Sequence, residues 1–269
     1  MDHQQARAGT RSFAFRPLVG AFPITVLILV GCRSASHVVC APGPSPVGPV
    51  FLVPGVWPDG PSMWIDDVQA LLRQRGIEGI QVPHDCFVFG YMFGYGTNGP
   101  ADRMADFAEQ FQVQHASTGC QAELRFCGIG LSAGTMMLLK AAERGVHFER
   151  VYFGGAPLSF WNADLARTLD EGRIHTLLNY YSPVDLVVAF TCGAGMFGYS
   201  GAKGETRSHV QNRRHWSYHA WPLWWNEARA ESVVDEIAQV AQGPRHTCFQ
   251  VSWFREWYLD AKERIETEW

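Results

Sequence analysis

The chain is poor in charge. Asp, Glu, Lys and Arg together make up 18% of its 269 residues, and 22 basic against 26 acidic side chains leave a formal net charge of -4. Without a basic excess there is no electrostatic basis for general nucleic-acid binding, which needs a concentrated positive face. The N-terminal apolar stretch, residues 18–31, is too short to span a bilayer comfortably, since a spanning helix needs about 20 apolar residues. None of the 7 cysteines stands in C-x-x-C spacing, which argues against a structural zinc site. His84, Asp85 and Cys86 group three ligand types, but neighbours on a strand point to opposite faces, so no metal is expected there. There is no internal repeat, and no linker divides residues 49–241, so one domain is expected. Wholesale disorder is excluded in turn, because 47% of the residues are apolar, enough for a large core.

What the N-terminus does have is order. Arg7, Arg11 and Arg16 precede the apolar stretch, which ends in Leu29-Val30-Gly31-Cys32. This ending resembles the lipobox of bacterial lipoproteins. The resemblance implies a signal peptide over residues 1–31 and an acyl lipid such as palmitate on Cys32. The expected location is then the periplasmic side of the cell envelope, anchored to the membrane through that lipid. Residues 33–49 hold four prolines and three serines, and residues 32–48 read as a tether. Export would let Cys40, Cys86, Cys120, Cys127, Cys192 and Cys248 form disulfides, and six cysteines allow 15 complete pairings among which sequence does not choose.

Along the mature chain, strand and helix signals alternate. Short apolar runs bounded by Pro and Gly predict strands over residues 49–53, 77–82, 123–129, 148–153 and 174–180, and residues 210–214 are read as a last strand. Helical spacing of apolar residues predicts helices over 63–75, 101–115, 133–144, 162–169 and 226–240, with Asn226 placed to cap the last. Such alternation argues for an α/β domain over residues 49–241, with a mostly parallel central sheet and helices on both faces. Residues 242–269 read as a C-terminal extension packing on or beside it. The aromatic crowd at residues 215–225 would line either a core or an apolar cleft, and residues 87–95 and 190–201 read as loops over a site.

The chemistry concentrates in Gly130-Leu131-Ser132-Ala133-Gly134, a G-x-S-x-G directly after a predicted strand and directly before a predicted helix. A turn tight enough to present a serine hydroxyl above a sheet brings backbone segments so close that only small residues fit beside it. The helix that follows aims its unpaired N–H groups and positive dipole end at the place where an oxyanion develops.

In this motif and its context the chain resembles the α/β-hydrolase family over residues 49–241. That family orders its triad as nucleophile, acid, histidine, with the acid after a late strand. The resemblance makes Ser132 the nucleophile and Asp185, in Ser182-Pro183-Val184-Asp185, the acid. Asp164 and Asp170 are competitors, but they fall in or at the end of a predicted helix. The histidine is His219, which leaves room for the chain to turn back over the sheet and stands in a His-small-aromatic sequence; His215 is the alternative. Oxyanion donors would be the backbone N–H of Ala133 and one from Val56 or Trp57, in a turn that has Pro54 where the family has His. The implied reaction is hydrolysis of a small-molecule or lipid carboxylic ester, or of a thioester or amide, through an acyl-enzyme and without any cofactor. The rival expectation is a hydrolase-like envelope lipoprotein that binds without cleaving.

Overall fold

A computed structural model describes residues 47–55, 62–82, 97–117, 123–158, 163–190, 198, 201, 209–214 and 227–241. All of them lie in one compact unit, His37–Trp269. The expected leader and tether up to residue 46, Cys32 included, lie outside the described residues, as does the expected extension from residue 242.

Six strands form one sheet: β1 (Val47–Val53), β2 (Gly79–Gln81), β3 (Arg125–Leu131), β4 (Phe148–Gly154), β5 (Ile174–Tyr181) and β6 (Val210–Arg214). Their order is β2-β1-β3-β4-β5-β6, and every pairing is parallel, so the expected mostly parallel sheet is wholly parallel among the described residues. The helices are α1 (Ser62–Gln74), α2 (Asn98–Ser117), α3 (Ala133–Glu143), α4 (Ala163–Asp170), α5 (Leu186–Phe190) and α6 (Glu227–Ala241).

The inner strands are largely apolar because helices cover both faces of the sheet, whereas the edge strand β6 (VQNRR) is polar and mostly exposed. Alternate side chains then feed two cores. On one face Val50, Leu52, Ile129, Tyr152 and Leu178 meet Trp64, Ile65, Val68 and Leu72 of α1 and Val233, Val234 and Ile237 of α6. On the other, Phe51, Phe126, Val151 and Phe153 meet α2, α3 and α4. Five phenylalanines from distant parts of the chain build the second core: the Phe51 ring lies 5.3 Å from Phe126, 5.8 Å from Phe107 and 6.3 Å from Phe148, and Phe111 lies 5.9 Å from Phe126. Each such side chain, fully buried, contributes about 1.5–3 kcal/mol.

Several expectations shift, among them β3, which runs over Arg125–Leu131 and not over residues 123–129. The first strand starts at Val47, not at residue 49, because Val47 already pairs with Arg125; the register slips before Val50, where Pro49 has no N–H to give to a ladder. Helix α2 starts at Asn98 rather than at residue 101, since Pro100 is tolerated in a first turn whose N–H groups lack helical partners. Helix α5 went unanticipated, being one turn long and all apolar (LVVAF). Cys127 also departs from the disulfide expectation. It is a free thiol, fully buried mid-strand, so the six cysteines do not pair completely. The other five lie outside the described residues.

Candidate active site

In a parallel sheet all strands end on the same edge. The chain leaves β1 to one side for β2 and returns on the other side for β3, so strand order reverses between β1 and β3. The crevice outside the carboxyl ends of strands at such a reversal is where α/β sheets bind ligands. Ser132 is the first residue after β3, and Pro54-Gly55 are the first after β1.

Ser132 has φ 52° and ψ -121°, and it is the one non-glycine with positive φ among the described residues. Backbone held there costs of order 1–3 kcal/mol and persists only where the surroundings force it. The forcing contacts are visible. Ser132 N donates to Gly154 O at 2.8 Å, so the ladder with β4 runs one residue past the strand. The Ser132 carbonyl accepts from Thr135 N at 3.0 Å and from the buried Thr135 Oγ1 at 2.7 Å. The Ser132 side chain makes no capping bond to α3, so its hydroxyl is not committed to the helix it precedes.

The flanking glycines are steric necessities. A Cβ on Gly134 would stand 2.2 Å from Val53 O and 2.7 Å from Pro54 O, and one on Gly130 would stand 2.9 Å from Thr135 N. Helix α3 therefore begins directly against the end of β1. A Cβ on Gly55 would lie 3.1 Å from Ser132 Cβ, which brings the segment following β1 alongside the serine. Ala133 opens α3 and is fully buried, its backbone N–H among those the helix itself leaves without an acceptor. Val56 and Trp57, the two candidates for the second oxyanion donor, lie outside the described residues.

Asp185 follows β5, so β4 alone separates its strand from that of Ser132. It is fully buried. Its N–H donates to Ser182 O at 3.1 Å in a tight turn, and its Oδ1 accepts from Val188 N at 3.1 Å, which makes it the cap of α5. The unanticipated helix thus holds the carboxylate in place. The competitor Asp164 is half-exposed and pairs with Arg167 at 3.0 Å on the surface of α4, and Asp170 is exposed at the end of that helix. The structure therefore brings Ser132, Ala133 and Asp185 to the same edge. His215 and His219 lie outside the described residues, in the segment that follows β6. So do His84, Asp85 and Cys86.

One contributor had no signal in the sequence. Gly198 N donates to Ala156 O at 2.9 Å and Gly198 O accepts from Ser182 N at 2.8 Å, so its backbone bridges the chain just past β4 and just past β5. A Cβ there would stand 2.6 Å from Ala156 N. Nothing local in a Gly-Ala-Gly-rich stretch distinguishes that residue from its neighbours.

No protein-family model matches the chain, and no curated protein does either. Among solved structures, the chain is similar to a cold-adapted esterase from an Arctic intertidal metagenomic library, at 21% identity and TM-score 0.44 over 73% of this chain and 83% of that one. It is similar to an esterase domain of a Rhodothermus marinus protein, at 15% identity and TM-score 0.42 over 74% and 88%. An extracellular α/β-hydrolase from a Paenibacillus species is similar at 12% identity and TM-score 0.38 over 73% and 100%.

Proposed function

We propose that the protein is a serine hydrolase that cleaves a carboxylic ester through an acyl-enzyme. The observation that carries this reading is Ser132 itself: a serine held at φ 52° between two glycines that admit no side chain, at the point where strand order reverses. Folding gains nothing from a strained serine at a crevice, and strain of this kind concentrates where a group must be presented to a substrate. Asp185, buried and held by α5, supports the same reading as the acid.

In this mechanism Ser132 Oγ attacks the acyl carbonyl while a histidine takes its proton. His219 is that base, with His215 the alternative. Asp185 orients the imidazole and stabilises its charged form. The N–H of Ala133, at the start of α3, and one from Val56 or Trp57 receive the developing oxyanion, each such donor worth roughly 3–4 kcal/mol. Protonated histidine releases the alcohol, and water then cleaves the acyl-enzyme by the reverse sequence. A lipid on Cys32 would hold the enzyme at a membrane surface, and accumulation of an unprocessed precursor under globomycin tests that anchor.

The test of the reaction is labelling by a fluorophosphonate together with turnover of p-nitrophenyl esters of increasing chain length. Wild type is expected to label and turn over, and Ser132→Ala to do neither. Asp185→Asn is expected to lose on the order of 10⁴ in kcat, the loss seen when a triad histidine takes the wrong tautomer. His219→Ala should behave like Ser132→Ala while His215→Ala keeps turnover; the opposite result moves the base to His215. A wild type that binds esters but neither labels nor hydrolyses them would sink the enzyme reading in favour of a binding protein.

A further inference from the structure

Among the buried residues of α3, Thr135 alone carries a polar side chain. It is fully buried, so its hydroxyl has to find a partner within the fold. That partner is the Ser132 carbonyl oxygen, 2.7 Å away, which also accepts from Thr135 N at 3.0 Å. On the other side of the serine, Ser132 N donates to Gly154 O at 2.8 Å. Both peptide units flanking the elbow serine are thus held, the one before it by β4 and the one after it by Thr135. Thr135 itself has little room to shift. A Cβ on Gly130 would stand 2.9 Å from Thr135 N, and one on Gly134, the residue before it, 2.2 Å from Val53 O.

The bond to the Ser132 carbonyl reaches further than that oxygen. A trans peptide is planar, and its C=O and N–H point in opposite directions. Holding the Ser132 carbonyl against the first turn of α3 therefore points the Ala133 N–H the other way, out past the start of the helix, where no helical carbonyl can accept it. The hydroxyl thus fixes the direction of that donor. It also strengthens it, because a carbonyl that accepts two hydrogen bonds is polarised and chained hydrogen bonds reinforce one another away from water. Thr168 of α4, also fully buried, makes the same kind of bond, to Leu165 O at 2.9 Å. Its helix carries none of the reacting groups, which makes it a matched control.

We infer that Thr135 is a positioning residue, whose hydroxyl aims the Ala133 N–H at the oxyanion by holding the Ser132 carbonyl. The inference rests on the serine hydrolase reading and deepens it. An oxyanion donor acts on charge that develops only in the transition state, so an error in its aim appears in the rate rather than in substrate binding. Ser offers the same hydroxyl, whereas Val keeps the branched shape of Thr without it.

The test measures kcat and KM on a p-nitrophenyl ester for Thr135→Val, Thr135→Ser and Thr168→Val, each normalised to sites labelled to completion by fluorophosphonate. It adds the Ki of an alkyl trifluoromethyl ketone, whose adduct with a serine carries the oxyanion. Losing a whole donor costs about 10²–10³ in kcat; Thr135→Val leaves the donor present but loosely aimed, so kcat is expected to fall by about tenfold with KM changed less than about twofold. The Ki of the ketone should rise by about the factor that kcat falls. Thr135→Ser should return both to within about threefold of wild type, and Thr168→Val should leave both within about twofold. Should Thr135→Val not fold, Thr135→Ala decides in its place. Wild-type kcat per site without the Thr135 hydroxyl, a loss expressed in KM, or an equal loss in Thr168→Val overturns the inference while leaving the hydrolase reading intact. Failure of Thr135→Ser to recover overturns it as well. A wild type that neither labels nor turns over overturns both.

Discussion

The glycines that return helices to the sheet and the glycines that flank Ser132 are there for opposite reasons. At the amino edge Gly145 and Gly172 return α3 and α4 into β4 and β5 with φ of +99° and +68°, and nothing lies within 4 Å of where a Cβ would stand. Glycine is there for backbone freedom in helix termination. At the carboxyl edge Gly130 and Gly134 have no positive φ, yet a Cβ on them would stand 2.9 Å and 2.2 Å from backbone atoms. Glycine is there for space. The positive φ that a glycine could have absorbed falls instead on Ser132, between them. The amino edge is dressed with half-exposed ion pairs, such as Arg125 to Glu123 at 3.7 Å and Arg173 to Glu171 at 2.7 Å, which contribute about 0–1 kcal/mol each. One edge is relaxed and solvated; the other is crowded, strained and arranged about a hydroxyl.

The sharpest way to break this contrast is Gly134→Ala. If the carboxyl edge is sterically determined, the methyl group forces α3 away from β1 and destabilises the fold by about 3 kcal/mol or more in urea unfolding, with loss of Ser132 labelling. Unchanged stability would mean that α3 can shift freely and that the crowding is incidental. Next is the amino edge. Gly172→Ala should cost about 1–2 kcal/mol, whereas Gly172→Asn should cost less than half as much, because Asn tolerates left-handed backbone. Equal costs would show that Gly172 also answers to packing.

A smaller effect should come from the strained serine. Both Ser132→Ala and Ser132→Gly should be inactive, but Ser132→Gly should be the more stable of the two by about 1 kcal/mol, since only glycine relaxes at φ 52°. Calorimetric midpoints that coincide would remove the strain from the account of the elbow. At neutral pH the smallest effect on stability belongs to the middle of the same strand, between the edges. Burial pushes the Cys127 thiol from an ordinary value of 9.0 up to about 12. The sign follows from the neutral form being the one the fold protects. This contribution to stability is complete below about pH 9 and is lost as pH rises from there towards 12. At neutral pH Cys127 should resist alkylation until the protein is unfolded, read by peptide mapping; ready modification in the folded protein would contradict its burial.

Much of the architecture was legible because a buried parallel strand is apolar along most of its length and ends in a turn. Residues 148–153 and 174–180 fell within one residue of β4 and β5 for that reason. The elbow was legible because its steric demand appears directly as Gly130 and Gly134. Helix α5 was not, since five apolar residues after an aspartate have no amphipathic period, and only the structure shows Asp185 capping them. Nor were the contacts of Gly198, whose partner Ala156 lies 42 residues away in the chain (198 − 156).

By itself, then, the sequence determined what local rules can carry: strand and helix alternation, a parallel sheet with two covered faces, and a small-residue elbow around Ser132. Only the tertiary structure decided that β1 and β3 adjoin at the reversal of strand order, and that β4 alone stands between the strands of Ser132 and Asp185. It also decided that Cys127 is a buried free thiol. The physical reason is the range of the constraint. Periodicity and turn chemistry act over a few residues and are written in them. Strand order, burial and the strain on Ser132 arise where segments tens of residues apart close on one another, and each of those contacts depends on all the others being made.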